Sequence, residues 1–141
     1  MPTMTTEQWR EFVMTGTRTG KLAVNRADGQ PHVTPIWFVL DGEDIVMTTA
    51  STSVKGRNLR RDPRVCLCVD DQEPPYSFVV IAGQASLTED LAELRHWAEI
   101  IGGRYMGAGR AAEYGARNGV PGELLVRIRP AKVIAQRDIA G

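Results

Sequence analysis

The stretch KLAVNRADGQPHVTPIWFVLDGEDIVMTT, residues 21–49, decides the fold. It holds three apolar runs, Lys21–Arg26, His32–Leu40 and Asp44–Thr49, separated by the pairs Asp28-Gly29 and Asp41-Gly42. An Asp-Gly pair supplies the positive φ that a tight hairpin needs at its centre, and a short apolar run on either side supplies the strands. Two such turns in succession predict an antiparallel meander.

Working outward, Glu7–Met14 reads as a short helix capped by Thr5 or Thr6, with Trp9, Phe12 and Val13 on one face. On the other side, Val54–Arg61 predicts a helical turn that Pro63 ends, because the residue before proline is pushed out of the helical region. Arg64–Val69 reads as a strand. The polar loop 70–75 follows, then a long strand over Tyr76–Leu87 that Gly83 bends or bulges. Leu91, Leu94, Trp97, Ile100 and Ile101 recur at helical spacing, predicting a helix that opens near Thr88 and Asp90 and stops at Gly102-Gly103. A second, glycine-interrupted helical stretch spans Arg104–Asn118, and Leu124–Arg129 with Lys132–Gln136 supplies the last strand pattern. Six to seven antiparallel strands in so short a chain must close or fold over to hide their edges, which predicts a mainly β barrel with flanking helices.

At 141 residues and 43% apolar composition, the chain is expected to be one domain over residues 1–141. Lysine plus arginine balances aspartate plus glutamate at 17 each, so the overall charge favours neither nucleic acid nor an anionic membrane. No apolar run is long enough to span a bilayer, the N-terminus lacks a signal-peptide layout, and a cytoplasmic protein is expected. Cys66 and Cys68 alternate on one face of a strand, badly placed to bridge each other, and no second Cys or His pair completes a metal site. They read as small buried hydrophobes, and no metal is expected.

The meander runs directly into Met47-Thr-Thr-Ala-Ser-Thr-Ser-Val-Lys-Gly-Arg-Asn-Leu-Arg-Arg-Asp-Pro-Arg64. Thr48, Thr49, Ser51, Thr52 and Ser53 offer short hydroxyls, Lys55 a point charge, and Gly56 a close backbone approach. That pattern points to a phosphate site. An exposed basic turn leading into a strand accounts for the same residues.

Taken together, Gly20–Val24, Asp28–Phe38, Thr48-Thr49, Lys55–Val65 and the strand from Tyr76 resemble the pyridoxamine-phosphate-oxidase-like split β-barrel flavoproteins. The likeness spans nearly the whole chain. Its Lys-x-Arg-Asn-Leu-x-Arg-Asp-Pro-Arg run is characteristic of the branch that uses the deazaflavin coenzyme F420 in place of flavin mononucleotide (FMN). The resemblance implies a homodimer with cofactor sites at the subunit interface. Lys55 and Asn58 match phosphate-end contacts, Thr48 and Thr49 match residues beside the phosphate and side chain, and Pro35, Ile36 and Trp37 match the strand along the ring. Tyr76 matches an aromatic position near that ring. Ser53 departs from the pattern, standing where some relatives place a further arginine.

The resemblance implies hydride transfer from reduced F420 to a small unsaturated or aromatic substrate, with no catalytic side chain required because the cofactor carries the chemistry. In keeping with this, the chain has no Gly-x-Ser-x-Gly, no P-loop and no dinucleotide fingerprint after a strand, and only two histidines. An FMN oxidoreductase of the same fold and a non-catalytic F420 or FMN carrier are the alternatives. Trp37 reads as either core or cofactor wall, His32 as an exposed strand start or a proton donor, and Arg104 with Tyr105 as a cap over the substrate pocket. The surplus cations of residues 55–64 are expected to suit a longer anionic tail than one phosphate provides.

Overall fold

The computed structural model describes residues 2–141. Seven strands form one antiparallel sheet: β1 Gly20–Asn25, β2 Pro31–Ile36, β3 Val39–Asp41, β4 Asp44–Ala50, β5 Arg64–Asp70, β6 Phe78–Thr88 and β7 Glu123–Gln136. Their lateral order is β2-β1-β5-β6-β7-β4-β3. The helices are α1 Thr6–Met14, α2 Val54–Arg61, α3 Leu91–Met106 and α4 Ala111–Asn118, with a single 3₁₀ turn at Ala108–Arg110. No helix among the described residues is long and apolar enough to cross a membrane.

Both Asp-Gly hairpins form, Gly29 and Gly42 taking positive φ of 88° and 57°. The meander between them does not form, because the run His32–Leu40 is two strands. Its first part pairs with β1 at one edge of the sheet, and its second part pairs with β4 at the opposite edge. Only Trp37 and Phe38 separate β2 from β3, and two residues span about 10 Å at most. The sheet must therefore curl until its edges nearly meet, and the result is a split barrel. At the crossing, Phe38 has no strand neighbour. Side chains of α3 take the neighbour's place: the Phe38 N–H donates to the Tyr105 hydroxyl at 3.3 Å, and its carbonyl accepts from Arg104 at 2.6 Å.

The barrel interior holds Leu22, Phe38, Met47, Leu67, Ile81 and Val126, none measurably exposed, and α1 closes one end with Trp9 and Val13. Thr5 caps α1 through a reciprocal pair with Gln8. Between β6 and β7 the register shifts at Ala82/Gly83, so Ala131 is passed over. A Cβ at Gly83 would collide with the Arg129 carbonyl. The long strand begins at Phe78 and not at Tyr76, which lies in the preceding loop with φ 64°.

Helix α3 runs through Gly102-Gly103 to Met106, where a stop was expected. The glycines serve packing there: a Cβ at Gly102 would strike the Tyr114 Cβ, so its absence lets α4 lie against α3. The buried face is Leu94, Ala98, Ile101 and Gly102, while Leu91 and Ile100, expected on that face, are exposed. A second apolar cluster of Val39, Val46, Leu94, Ile101 and Leu125 joins α3 to the outside of the sheet. Arg127 pins the β3–β4 turn to β7, with Asp41 at 2.8 Å and Asp44 at 3.5 Å.

Candidate functional site

Strand β4 ends at Ala50 in a turn that passes straight into α2. Ser53 is the N-cap of α2: its hydroxyl accepts from the Gly56 N–H at 2.9 Å and donates to the Ala50 carbonyl at 2.7 Å. With that proton used, the Thr49 hydroxyl, 2.9 Å away, is the donor to Ser53. The first turn of α2 lies so close to the β4 turn that a Cβ at Gly56 would overlap the Ala50 carbonyl oxygen. The cluster of hydroxyls and glycine thus builds a tight corner, and the corner aims Lys55 sideways.

Lys55 enters a cleft of about 400 Å³ lined by Thr19, Pro35, Ile36, Trp37, Thr48, Thr49, Ile101 and Asn118. This volume lies within the range of about 300–1,000 Å³ usual for small-molecule sites. Pro35, Ile36, Trp37 and Ile101 form an apolar wall. Thr19, Thr48, Lys55 and Asn118 face it with polar groups, and among the described residues none of these four side chains has a hydrogen-bond partner. Burial pushes the Lys55 ammonium below its ordinary range, with no carboxylate near enough to offset the loss of water. A cation that is partly desolvated and unpaired is a site that favours an anion. A flat ring against the apolar wall and a phosphate against Lys55 and Thr48 would satisfy both sides of this cleft.

A larger groove, about 510 Å³, runs from Thr15 past Arg18 and Lys21 to Glu73, and shares Thr19 with the cleft. Its cations are already committed. Arg18 pairs with Asp71 at 3.3 Å and Lys21 with Asp70 at 2.8 Å, so the groove offers no free cation to a ligand.

Of the residues expected at a site, Pro35, Ile36, Trp37, Thr48, Thr49 and Lys55 are brought together. Asn58 is not in the cleft lining: its amide donates to the Val54 carbonyl at 2.8 Å along its own helix. Tyr76 lies at the far end of β6 from the Thr88 that joins β4 through β7, exposed, and its own chain does not bring it to the cleft. The surplus of cations is largely absent. Arg60 pairs with Glu89 at 3.0 Å, Arg64 with Asp62 at 2.8 Å, and Arg61 donates to the Asn25 carbonyl. Arg64 also holds the Asp62 carboxyl far below the usual carboxylate range.

Arg104 and Tyr105, read from the sequence as a cap over the substrate pocket, do not line the cleft; their side chains bond to backbone carbonyls between Val13 and Phe38. Arg104 donates to the carbonyls of Val13 at 2.7 Å and Gly16 at 3.1 Å, tying off the C-terminal end of α1. Thr19, Ile101 and Asn118 are cleft residues that sequence reasoning missed. Ile101 carried only a core signal, and Thr19 and Asn118 are single polar residues at the ends of a loop and a helix, with no pattern to mark them.

A family profile described as Pyridoxamine 5'-phosphate oxidase matches residues 5–137. Among solved structures, a conserved hypothetical protein from Mycobacterium tuberculosis superposes with a TM-score of 0.85 at 28% identity, covering 98% of this chain and 89% of that one. A protein described as an F420 reductase superposes with a TM-score of 0.69 at 25% identity, covering 87% of this chain and 94% of that one. A FAD-binding protein from Mesorhizobium loti shares the fold, with a TM-score of 0.69 at 21% identity over 95% of each chain. With the profile spanning nearly the whole sequence and the seven-stranded split barrel in place, the chain belongs to the pyridoxamine 5'-phosphate oxidase family.

Proposed function

We propose that the chain is an oxidoreductase that binds the deazaflavin coenzyme F420 in the Lys55 cleft and uses it to reduce a small unsaturated or aromatic substrate. The observation that carries this reading is the unpaired, partly buried Lys55 opposite the apolar wall of Pro35, Ile36 and Trp37. Similarity to a protein described as an F420 reductase supports the choice of coenzyme. When bound, reduced F420 supplies the hydride. The side chains of this chain then bind, orient and exclude water: Lys55 and Thr48 hold the phosphate end, and Trp37 with Ile36 and Pro35 sets the plane of the ring.

FMN is the second reading, and one observation favours it. Of the four arginines between residues 57 and 64, only Arg57 has a side chain with neither an ion pair nor a hydrogen bond among the described residues, so few cations remain for a long anionic tail.

A second copy of the chain completes the site in this proposal. The outer face of the sheet carries Val33, Ala23, Cys66 and Ala82 in one row that ends at Lys132, with Val80 and Ile134 in the next row, which carries Lys21 on its β1 side, so the middle of that face is apolar between the two lysines. Val33 and Ile134 are 58% and 45% exposed. Tyr76 lies just before β6, held in its left-handed conformation by hydrogen bonds with Glu73 and Ile139, and in this proposal it is offered to the partner's cleft.

The test is a titration of the purified protein with F420 and with FMN, followed by oxidation of reduced F420 against a panel of quinones, enones and nitroaromatics. Tight F420 binding with turnover is the expected result. Tight binding without turnover on any acceptor makes the protein a carrier, and binding of neither coenzyme ends the proposal.

A further inference from the structure

Trp37 is the one aromatic side chain lining the cleft, and its ring is not free to turn. Tyr105 stacks on it with centroids 5.0 Å apart and planes within 6° of parallel. Tyr114 abuts the same ring at 5.6 Å and 57°, seated there by the close approach at Gly102. Tyr105 is held in turn. Its hydroxyl donates to the Arg18 carbonyl at 2.7 Å and accepts from the Phe38 N–H, and the Arg104 guanidinium lies 4.8 Å from its ring centroid. One of these partners, Phe38, lies in the β2–β3 crossing, and the other, Arg18, precedes the Gly20 that pairs with Ile36, so Tyr105 is anchored on both sides of the segment where Trp37 itself has no strand ladder to hold it.

We propose that Tyr105 is a positioning residue that sets the plane of Trp37 and so makes the cleft selective for a flat, fused-ring ligand. The inference rests on the ligand reading above. Two parallel rings already in register extend the stack to a third at little conformational cost, because the wall has lost its rotational freedom before the ligand arrives. Tyr105 touches neither the cleft nor the ligand, and acts only through Trp37.

The test pairs each coenzyme with a probe that shares its ring and lacks its phosphate: FMN with riboflavin, and F420 with the tailless deazaflavin chromophore. Tyr105→Leu removes the stack; Tyr105→Phe keeps the ring and removes the hydroxyl. Near-ultraviolet circular dichroism of the ligand-free protein reports the stack itself. The expected result is that Tyr105→Leu loses that signal and weakens the tailed and tailless probes by the same factor, at least tenfold, while Tyr105→Phe binds both within twofold of wild type. Tyr105→Leu that has lost the signal yet binds as wild type overturns the proposal and leaves the ligand reading intact. A wild-type protein that binds none of the four probes overturns both. Should the leucine variant fail to fold, Tyr105→Met, which fills the space without a ring, replaces it under the same two readouts: a lost stacking signal with wild-type affinity overturns the proposal, and signal and affinity falling together support it.

Discussion

Replacing Lys55 by methionine separates binding from stability. Methionine keeps the apolar stem that lies in the cleft and deletes only the charge. If the proposed phosphate contact holds, Lys55 would make a charge-assisted hydrogen bond worth about 1.5–3 kcal/mol, and at about 1.4 kcal/mol per decade the variant is expected to bind roughly ten- to a hundredfold more weakly. Lys55 is the one cation lining the cleft: Arg60, Arg61 and Arg64 are held by Glu89, Asn25 and Asp62, and the uncommitted Arg57 is not among the lining residues. Stability moves the other way. Burial lowers the folded-state pKa of Lys55, so between its folded and unfolded values the unfolded chain carries the extra proton and stability rises with pH. Below that window the full cost of the desolvated charge is present. Ligand-free Lys55→Met is therefore at least as stable as wild type at neutral pH, and wild type gains on it as the pH climbs through the lowered Lys55 value. Affinity of wild type for the anion falls over the same climb. Isothermal titration with FMN or F420 and chemical denaturation across pH measure both. Unchanged affinity in the variant, or a ligand-free form clearly less stable than wild type, would refute the assignment of Lys55 as an anion-binding charge held in the cleft against its own solvation.

Gly56→Ala adds a methyl that meets the backbone at Ala50; the overlap costs about 1–3 kcal/mol against a helix-propensity gain of about 1 kcal/mol, so urea denaturation is expected to show net destabilisation and weakened phosphate binding together. Light scattering is expected to give twice the chain mass for wild type, and Ala82→Glu, at the centre of the outer face, is expected to give the monomer with impaired coenzyme binding; a wild-type monomer that binds fully would remove the second copy from the site.

Local chemistry made much of this protein legible in its sequence. The Asp-Gly turns, the α2 span Val54–Arg61 ended ahead of Pro63, and the bulge beside Gly83 depend on neighbours in the chain, and they appear where propensity places them. Lys55 with Thr48 and Thr49 was equally readable, since a charge and short hydroxyls at a strand-to-helix corner need only local backbone to converge. What spacing alone did not decide was partnership across space. His32–Leu40 has the pattern of one strand, and closure of the sheet splits it at Trp37-Phe38, because the curled edges come together there and a single strand cannot ladder to both. Gly102-Gly103 has the pattern of a helix stop, and contact with Tyr114 makes it a helix interior. The arginines that promised a tail site are spent on Glu89, Asp62 and Asn25, partners whose proximity only folding creates. Residue type and local spacing determined which groups this protein possesses; the tertiary fold decided which of them remain uncommitted, because a charge or a hydroxyl is available to a ligand only where the rest of the chain has left it unpaired.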